Sequence, residues 1–206
     1  MPDFEQEHAC RLAGYDVVCG IDEAGRGPWA GPVVAAAAII VNPDVRSELL
    51  DQLDDSKKLR GRKRELLFSQ FDNQIEFGTG IASVDEIDRL NILAATLLAM
   101  RRAVLALPRE VDFALVDGNR KPDLGSVESR CIVGGDGQCL SIAAASIAAK
   151  VTRDRIMREL ADQFPGYGWE RNAGYGTPEH HATMMRLGIT SAHRKSFAPV
   201  RKILGR

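Results

Sequence analysis

Residues 33–41, Val-Val-Ala-Ala-Ala-Ala-Ile-Ile-Val, are nine uninterrupted apolar positions closed by Asn42-Pro43. The alanines would suit a helix. The shortness of the run, its β-branched end and the Asn-Pro stop instead predict a buried strand. Residues 15–21 read as a strand before it, and Asp22-Glu23-Ala24-Gly25-Arg26-Gly27-Pro28 between them is glycine-rich turn chemistry. The two strands are expected to form a hairpin, with Asp22 and Glu23 just past the first.

The rest of the chain alternates. Residues 62–73 carry helical spacing in Leu66, Leu67 and Phe71, and residues 74–82 suit a strand. Ser83 and Glu86 make a capping box, opening a long helical run through Ile87, Leu90, Leu93, Leu97, Leu98, Val104 and Leu105. Residues 111–116 predict a strand ending at Asp117-Gly118, and residues 130–133 a short one ending at Gly134-Gly135-Asp136-Gly137. A small-residue helix follows over 141–164, and Thr177-Pro178 starts a last one. Strands first, then strands alternating with helices, predict an α/β fold, a mixed central sheet flanked by helices. With 206 residues, 45% hydrophobic, one domain over 1–206 is expected, its small helical C-terminal portion beginning at about 165.

Composition limits the function classes. The amino-terminal residues resemble neither a signal nor a transit peptide, and no apolar run reaches the roughly 18 residues of a membrane span. Cys10, Cys19, Cys131 and Cys139 contain no C-x-x-C pair, so a reduced cytoplasmic protein without a zinc site or a membrane partner is expected. Net charge is −1, yet residues 57–64 are basic at six of eight positions, and Arg194, Lys195, Arg201, Lys202 and Arg206 gather near the end.

The acidic residues at strand ends carry the chemistry. Two carboxylates ~4 Å apart repel by roughly 4 kcal/mol at an effective dielectric near 20, so a cluster needs protonation or a cation. Hard oxygen ligands suit Mg²⁺ or Mn²⁺, and a pair of such ions can hydrolyse a phosphodiester. An isolated aspartate at a strand's end is ordinarily a turn or cap; Asp22, Asp117 and Asp136 together are harder to explain so.

The segments from Gly20 to Pro28 and from Ala30 to Pro32 resemble the opening signature of bacterial ribonuclease HII. Asp55-Ser56-Lys57-Lys58-Leu59, Val116-Asp117-Gly118-Asn119, the stretch 144–154, Gly174-Tyr175-Gly176-Thr177 and His193-Arg194-Lys195-Ser196-Phe197 resemble its later motifs in order. The resemblance implies a ribonuclease H-like fold, Mn²⁺ or Mg²⁺ as cofactor, and metal-binding catalytic carboxylates at Asp22, Glu23, Asp117 and Asp136. It implies as substrates RNA–DNA hybrids and duplex DNA containing single ribonucleotides, cut by a monomeric endonuclease. Gly25-Arg26-Gly27 would read the ribose at an RNA-to-DNA junction and Tyr175 the neighbouring deoxyribose. Ser56, Lys57, Lys58 and Arg194 would hold phosphates, which set position without reading sequence. Asp154 is expected to pair with Arg158 and to stay out of the site.

The chain departs from the family pattern at Gly134 and Ala173, where lysines are expected, and at Ser141 and Ala143, where Glu and Ser are expected. Two alternatives stand beside this reading. One is another metal-dependent nuclease of the same fold, a resolvase or a ribonuclease HIII, the latter ordinarily with an extra amino-terminal domain and a lysine in its Gly-x-Gly loop. The other is a non-catalytic nucleic-acid junction-binding module, to which clustered negative charge would be a hindrance.

Overall fold

The computed structural model describes residues 1–42, 48–57 and 59–205. In chain order these form α1 (Glu5–Leu12), β1 (Val18–Ala24), β2 (Val33–Ile40), α2 (Gly61–Ser69), β3 (Ile75–Ala82), α3 (Val84–Leu90), α4 (Ile92–Leu105), β4 (Phe113–Asp117), β5 (Glu128–Ile132), α5 (Leu140–Gln163), α6 (Trp169–Asn172), α7 (Pro178–Leu187) and α8 (Ala198–Ile203). The five strands make one mixed sheet in the order β3-β2-β1-β4-β5. The β1–β2 and β2–β3 pairs are antiparallel, and the β1–β4 and β4–β5 pairs parallel.

The unbroken apolar run in β2 has a physical reason, since both faces of the strand are covered. Ala36, Ala38 and Ile40 pack into a core with α5, while Val33, Ala35, Ala37 and Ile39 pack into another with α4. The hairpin is as expected, but β1 runs on to Ala24, placing Asp22 and Glu23 inside the strand rather than past it. Pairing with β2 continues through Asp22↔Ala36 and Glu23↔Ala35, which keeps the chain extended.

The capping box at Ser83 is present, with Ser83 Oγ accepting from the Glu86 N–H and Glu86 accepting from the Ser83 N–H. The helix it opens ends at Leu90. Asn91 turns the chain at φ +72° and caps α4, its side chain accepting from the Leu93 and Ala94 N–H groups, so one expected helix is two. Thr177 caps α7 with Pro178 in the first turn, as the sequence predicts. From Tyr167 onward the chain packs around Ala30, Met157, Trp169, Met184 and Val200, beside the hairpin's turn.

Two contacts seat α5 under the site. A Cβ on Gly20 would lie 2.2 Å from the backbone of Ser141 and Ile142, so only glycine lets the helix rest directly on β1. Buried Glu7, reaching over from α1, accepts from the Ser141 N–H at 2.9 Å and its hydroxyl at 2.6 Å, satisfying the first turn of α5. Nothing in the sequence pattern marked α1 or this cap.

Gly20→Ala is expected to cost about 1–3 kcal/mol as an overpacked core does, or roughly 2–4 °C in Tm for each kcal/mol in a chain of this size. Thermal melts of Gly20→Ala and of Gly137→Ala, where an added methyl meets nothing within 4 Å, check it. Equal Tm values for the two variants would contradict the close approach.

Candidate active site

The register of the sheet places the first two carboxylates. Ile21↔Val116 is the last parallel pair between β1 and β4, so Asp22 and Asp117 stand side by side one residue on, at a strand spacing of about 4.8 Å. Asp136 arrives from the short 3-10 turn Gly135–Gly137, which Asp117 holds by accepting from the Gly135 N–H at 2.7 Å. Glu23 follows Asp22, and the two share a hydrogen bond from the Glu23 N–H to Asp22 Oδ1 at 2.7 Å.

Burial governs the electrostatics. It pushes the Asp22 carboxyl well above the ordinary range, and the charges of Glu23 and Asp117 push it further, against hydrogen bonds from the Glu23 N–H and Ser146. Glu23 is raised by burial although Arg26, whose guanidinium lies 3.2 Å from Glu23 Oε1, opposes the shift. Asp136 is raised by burial and by Asp55 and Asp117, against Lys57 Nζ at 3.4 Å. Lys57 loses basicity to burial but gains more from Asp136, Asp22 and Asp55, so its net shift is upward.

Asp55, which the sequence reading left out of the site, lies near enough to Asp136 to help raise its pKa. Its place in the Asp-Ser-Lys-Lys motif was the available signal.

As they stand, no three of these side chains among the described residues converge as ligands to one ion. Glu23 leans to Arg26, Asp136 to Lys57, and Asp117 to the Gly135 N–H. The donor set is nevertheless all hard oxygen, and the raised pKa values of Asp22, Glu23 and Asp136 mark the unmet negative charge that a divalent cation would neutralise.

The sequence-predicted substrate residues divide. Tyr175 is half exposed and lies beside the loop, since a Cβ placed on Gly27 would sit 3.6 Å from its ring. Lys57 is exposed at the site's edge, and Lys58 lies outside the described residues. Ser56 is buried, its hydroxyl hydrogen-bonded to Ser146 Oγ at 2.7 Å, so its side chain faces inward rather than toward a phosphate. Arg64, in the basic stretch, is largely buried and donates to the Ser56 and Leu59 carbonyls.

Arg194 is the clearest correction. Its guanidinium is fully buried and donates to the carbonyls of Gly31, Arg26, Gly25 and Pro32 at 2.6–3.1 Å, leaving it no access to a phosphate. Arg153 does likewise for Pro32, Ala173 and Ala30. Neither meets a carboxylate in ion-pair range among the described residues, and burial lowers Arg153 to about 10 and, with Arg153 as neighbour, Arg194 to about 9.

Because trans peptides set C=O and N–H on opposite sides, the two carbonyls held by Arg194 turn the N–H groups of Arg26 and Gly27 away from it. Gly25 is required here: its φ is +98°, and a Cβ would lie 2.0 Å from the Arg153 side chain.

The Asp154 carboxylate pairs with Lys150 at 2.5 Å and with Arg64, whereas Arg158 pairs with Glu65 and donates only to the Asp154 backbone carbonyl. Of the departures, Gly134 sits at φ +68°, a conformation costly for a lysine, whereas Ala173 at φ +48° already bears the same Cβ cost and its backbone does not explain the change.

A mixed sheet of this order with carboxylates where β1 and β4 run side by side is the ribonuclease H fold. The ribonuclease H2 of Pyrococcus horikoshii shares it with a TM-score of 0.77 and 27% identity, over 93% of this chain and 98% of that one. A Bst-RNase HIII solved in complex with Mn²⁺ shares the fold at a TM-score of 0.73 and 20% identity, over 96% of this chain and 72% of that one. The family model for ribonuclease HII matches residues 19–200. The ribonuclease HII of Paramagnetospirillum magneticum is 58% identical over 200 residues, 97% of either chain. The chain belongs to the ribonuclease HII family and is an enzyme of the ribonuclease H class.

Raised carboxyl pKa values make the metal-free site a pH-dependent liability. Asp22, Glu23 and Asp136 favour folding while protonated, a contribution fully present below their unfolded pKa values and lost as pH rises through the raised folded ones. In EDTA, the Tm of wild type relative to Asp22→Asn should therefore fall between pH 5 and pH 8. A constant difference across that interval would show that Asp22 titrates as it does in the unfolded chain.

Proposed function

We propose that this chain is an endonuclease that hydrolyses RNA paired to DNA and cuts on the 5′ side of single ribonucleotides embedded in duplex DNA, leaving 3′-hydroxyl and 5′-phosphate ends. Family membership supports the action on RNA–DNA hybrids. The observation that carries the finer reading is Tyr175 lying against Gly27, in the loop that directly follows Asp22 and Glu23 of β1.

Asp22, Glu23, Asp117 and Asp136 would hold two Mg²⁺ or Mn²⁺ ions, which when bound supply activation of the attacking water and stabilisation of the leaving oxygen. The Mn²⁺ complex of the structurally similar ribonuclease HIII supports a divalent ion. The chain's own residues do the selecting. The N–H groups of Arg26 and Gly27, turned outward by Arg194, are offered to the 2′-hydroxyl that separates RNA from DNA. The Tyr175 ring packs where the next sugar lies and favours one lacking that hydroxyl. Exposed Lys57 would steer a backbone phosphate, while Arg26 and Lys57 lean on Glu23 and Asp136 and balance part of their charge. The enzyme would act as a monomer in the cytoplasm, starting removal of misincorporated ribonucleotides. A binder without catalysis is disfavoured, because clustered buried carboxylates repel a polyanion.

Asp117→Asn keeps size and polarity while removing a charge. Cleavage should fall by at least about a thousandfold, the ~4 kcal/mol scale of a lost electrostatic contact in an active site, while substrate binding persists. Near-normal turnover at saturating metal would remove Asp117 from the site.

Tyr175→Ala should lose more activity on a duplex with one ribonucleotide than on a continuous hybrid, since only the former always presents the deoxyribose. The ratio of initial rates on the two substrates, in the same metal and salt, reads this directly. An unchanged ratio would leave a general hybrid nuclease without junction reading.

A further inference from the structure

Behind Tyr175 two buried histidines form a hydrogen-bonded chain whose protonation pattern can be deduced link by link. The Thr190 N–H donates to His193 Nδ1 at 3.0 Å, so Nδ1 is an acceptor and neutral His193 carries its proton on Nε2. That Nε2 lies 3.2 Å from His180 Nε2, toward which the Trp169 indole N–H also points at 3.1 Å. With two donors converging on it, His180 Nε2 is unprotonated. The His180 proton is then on Nδ1, which lies 2.9 Å from the Tyr175 carbonyl oxygen and donates to it.

His180 and His193 are both fully buried, and burial lowers both, His193 to about 4 with the neighbouring His180 adding to the shift. Neutral rings suit the chain, since a proton on either acceptor nitrogen would face a donor.

His180 touches the same turn a second time, its own N–H donating to Thr177 Oγ1 at 3.1 Å. The Thr177 N–H donates to the Tyr175 carbonyl at 2.8 Å, and the Tyr175 N–H to the Asn172 carbonyl at 2.9 Å. The main chain on both sides of Tyr175 is therefore tied down while its ring stays half exposed beside Gly27. A ring meant only for packing would have no need of a fixed backbone beneath an open face.

We propose that His180, oriented by His193 and Trp169, is a positioning residue that fixes the Tyr175 main chain and so aims its ring at the sugar. The proposal rests on the sugar-reading role of Tyr175 proposed above. His180 itself touches no substrate.

The test compares His180→Asn with His180→Met, each with Tyr175 intact and in a Tyr175→Ala background. Both substitutions remove the Nε2 acceptor and leave the same two donors unpaired, so that cost is common to both, and the Tm of each variant reads the remaining difference in size. Only asparagine keeps an N–H where Nδ1 stood, able to bond the Tyr175 carbonyl. The readout is the initial rate on a duplex with one ribonucleotide divided by that on a continuous hybrid, with Tm measured alongside.

His180→Met should lower this ratio about fivefold, the equivalent of one hydrogen bond of ~1 kcal/mol. His180→Asn should stay within about twofold of wild type. His180→Met should add nothing once Tyr175 is alanine, because residues acting through one another are non-additive.

An unchanged ratio in His180→Met, equal losses in both variants, or an effect that persists without the ring each overturns the proposal. If Tyr175→Ala alone leaves the ratio unchanged, the sugar-reading role fails and this inference with it; a change there without one in His180→Met overturns only the inference. Should the variants not fold, ¹⁵N imidazole spectra of the wild-type protein at pH 7 decide. They should give His180 protonated on Nδ1 and His193 on Nε2, and the opposite tautomer of His180, or a cationic ring, overturns the chain.

Discussion

Mutual repulsion among Asp22, Glu23, Asp117 and Asp136 is the constraint around which the molecule is organised. Carboxylates do not assemble unaided in a partly buried cleft, so the backbone must hold them there. Parallel pairing of β1 with β4 sets Asp22 beside Asp117, and the Asp117 carboxylate in turn fixes the turn carrying Asp136. The helix α5 rests on β1 at Gly20 and brings Ser146 to Asp22. Each anchor is a covalent or hydrogen-bonded consequence of the sheet, so the charge cluster persists at a cost in stability that protonation, nearby cations or bound ions offset.

Much of this was legible in the sequence where a local rule acts alone. The doubly buried β2, the Ser83 capping box, the Thr177-Pro178 helix start and the acidic strand ends each have a signature within a few residues. What escaped depends on partners far along the chain. The capping carboxylate Glu7 acts on Ser141, across more than a hundred residues, and has no local pattern. The β1 boundary was set by pairing with β2, which the Gly-rich turn chemistry obscured. At Asn91 a polar residue within an apolar helical pattern was the missed signal, since its side chain caps the next helix. Arg194 sits between His193 and Lys195 in a stretch read for phosphate contact, and composition cannot tell that His193 and Arg194 turn inward while Lys195 stays exposed.

The two ways of burying basic side chains behind the 25–32 segment and the Tyr175 turn follow from their chemistry. A guanidinium stays charged in a protein and carries five N–H donors in a fixed fork, so burying Arg153 and Arg194 requires that carbonyl oxygens be turned in to meet them. An imidazole can be buried neutral, and it then transmits direction, since one nitrogen must donate and the other accept. Arginines therefore suit the strongly curved 25–32 segment, where several carbonyls converge, and histidines suit a single carbonyl at Tyr175.

This arrangement also bears on how a chain of net charge −1 could meet a polyanion without the lysines expected at 134 and 173. Carbonyls drawn inward by Arg194 leave the opposite ends of the same peptides, the N–H groups of Arg26 and Gly27, facing out, and bonding at one end of a peptide polarises the other. Successive outward N–H groups form a surface of positive potential that carries no mobile charge. At Ala173 the left-handed backbone delivers its carbonyl to Arg153, so the positive charge sits beneath the surface and acts through the main chain. Contacts of that kind are directional and short in range, and they favour a hydroxyl held at one position over a phosphate held anywhere along a strand.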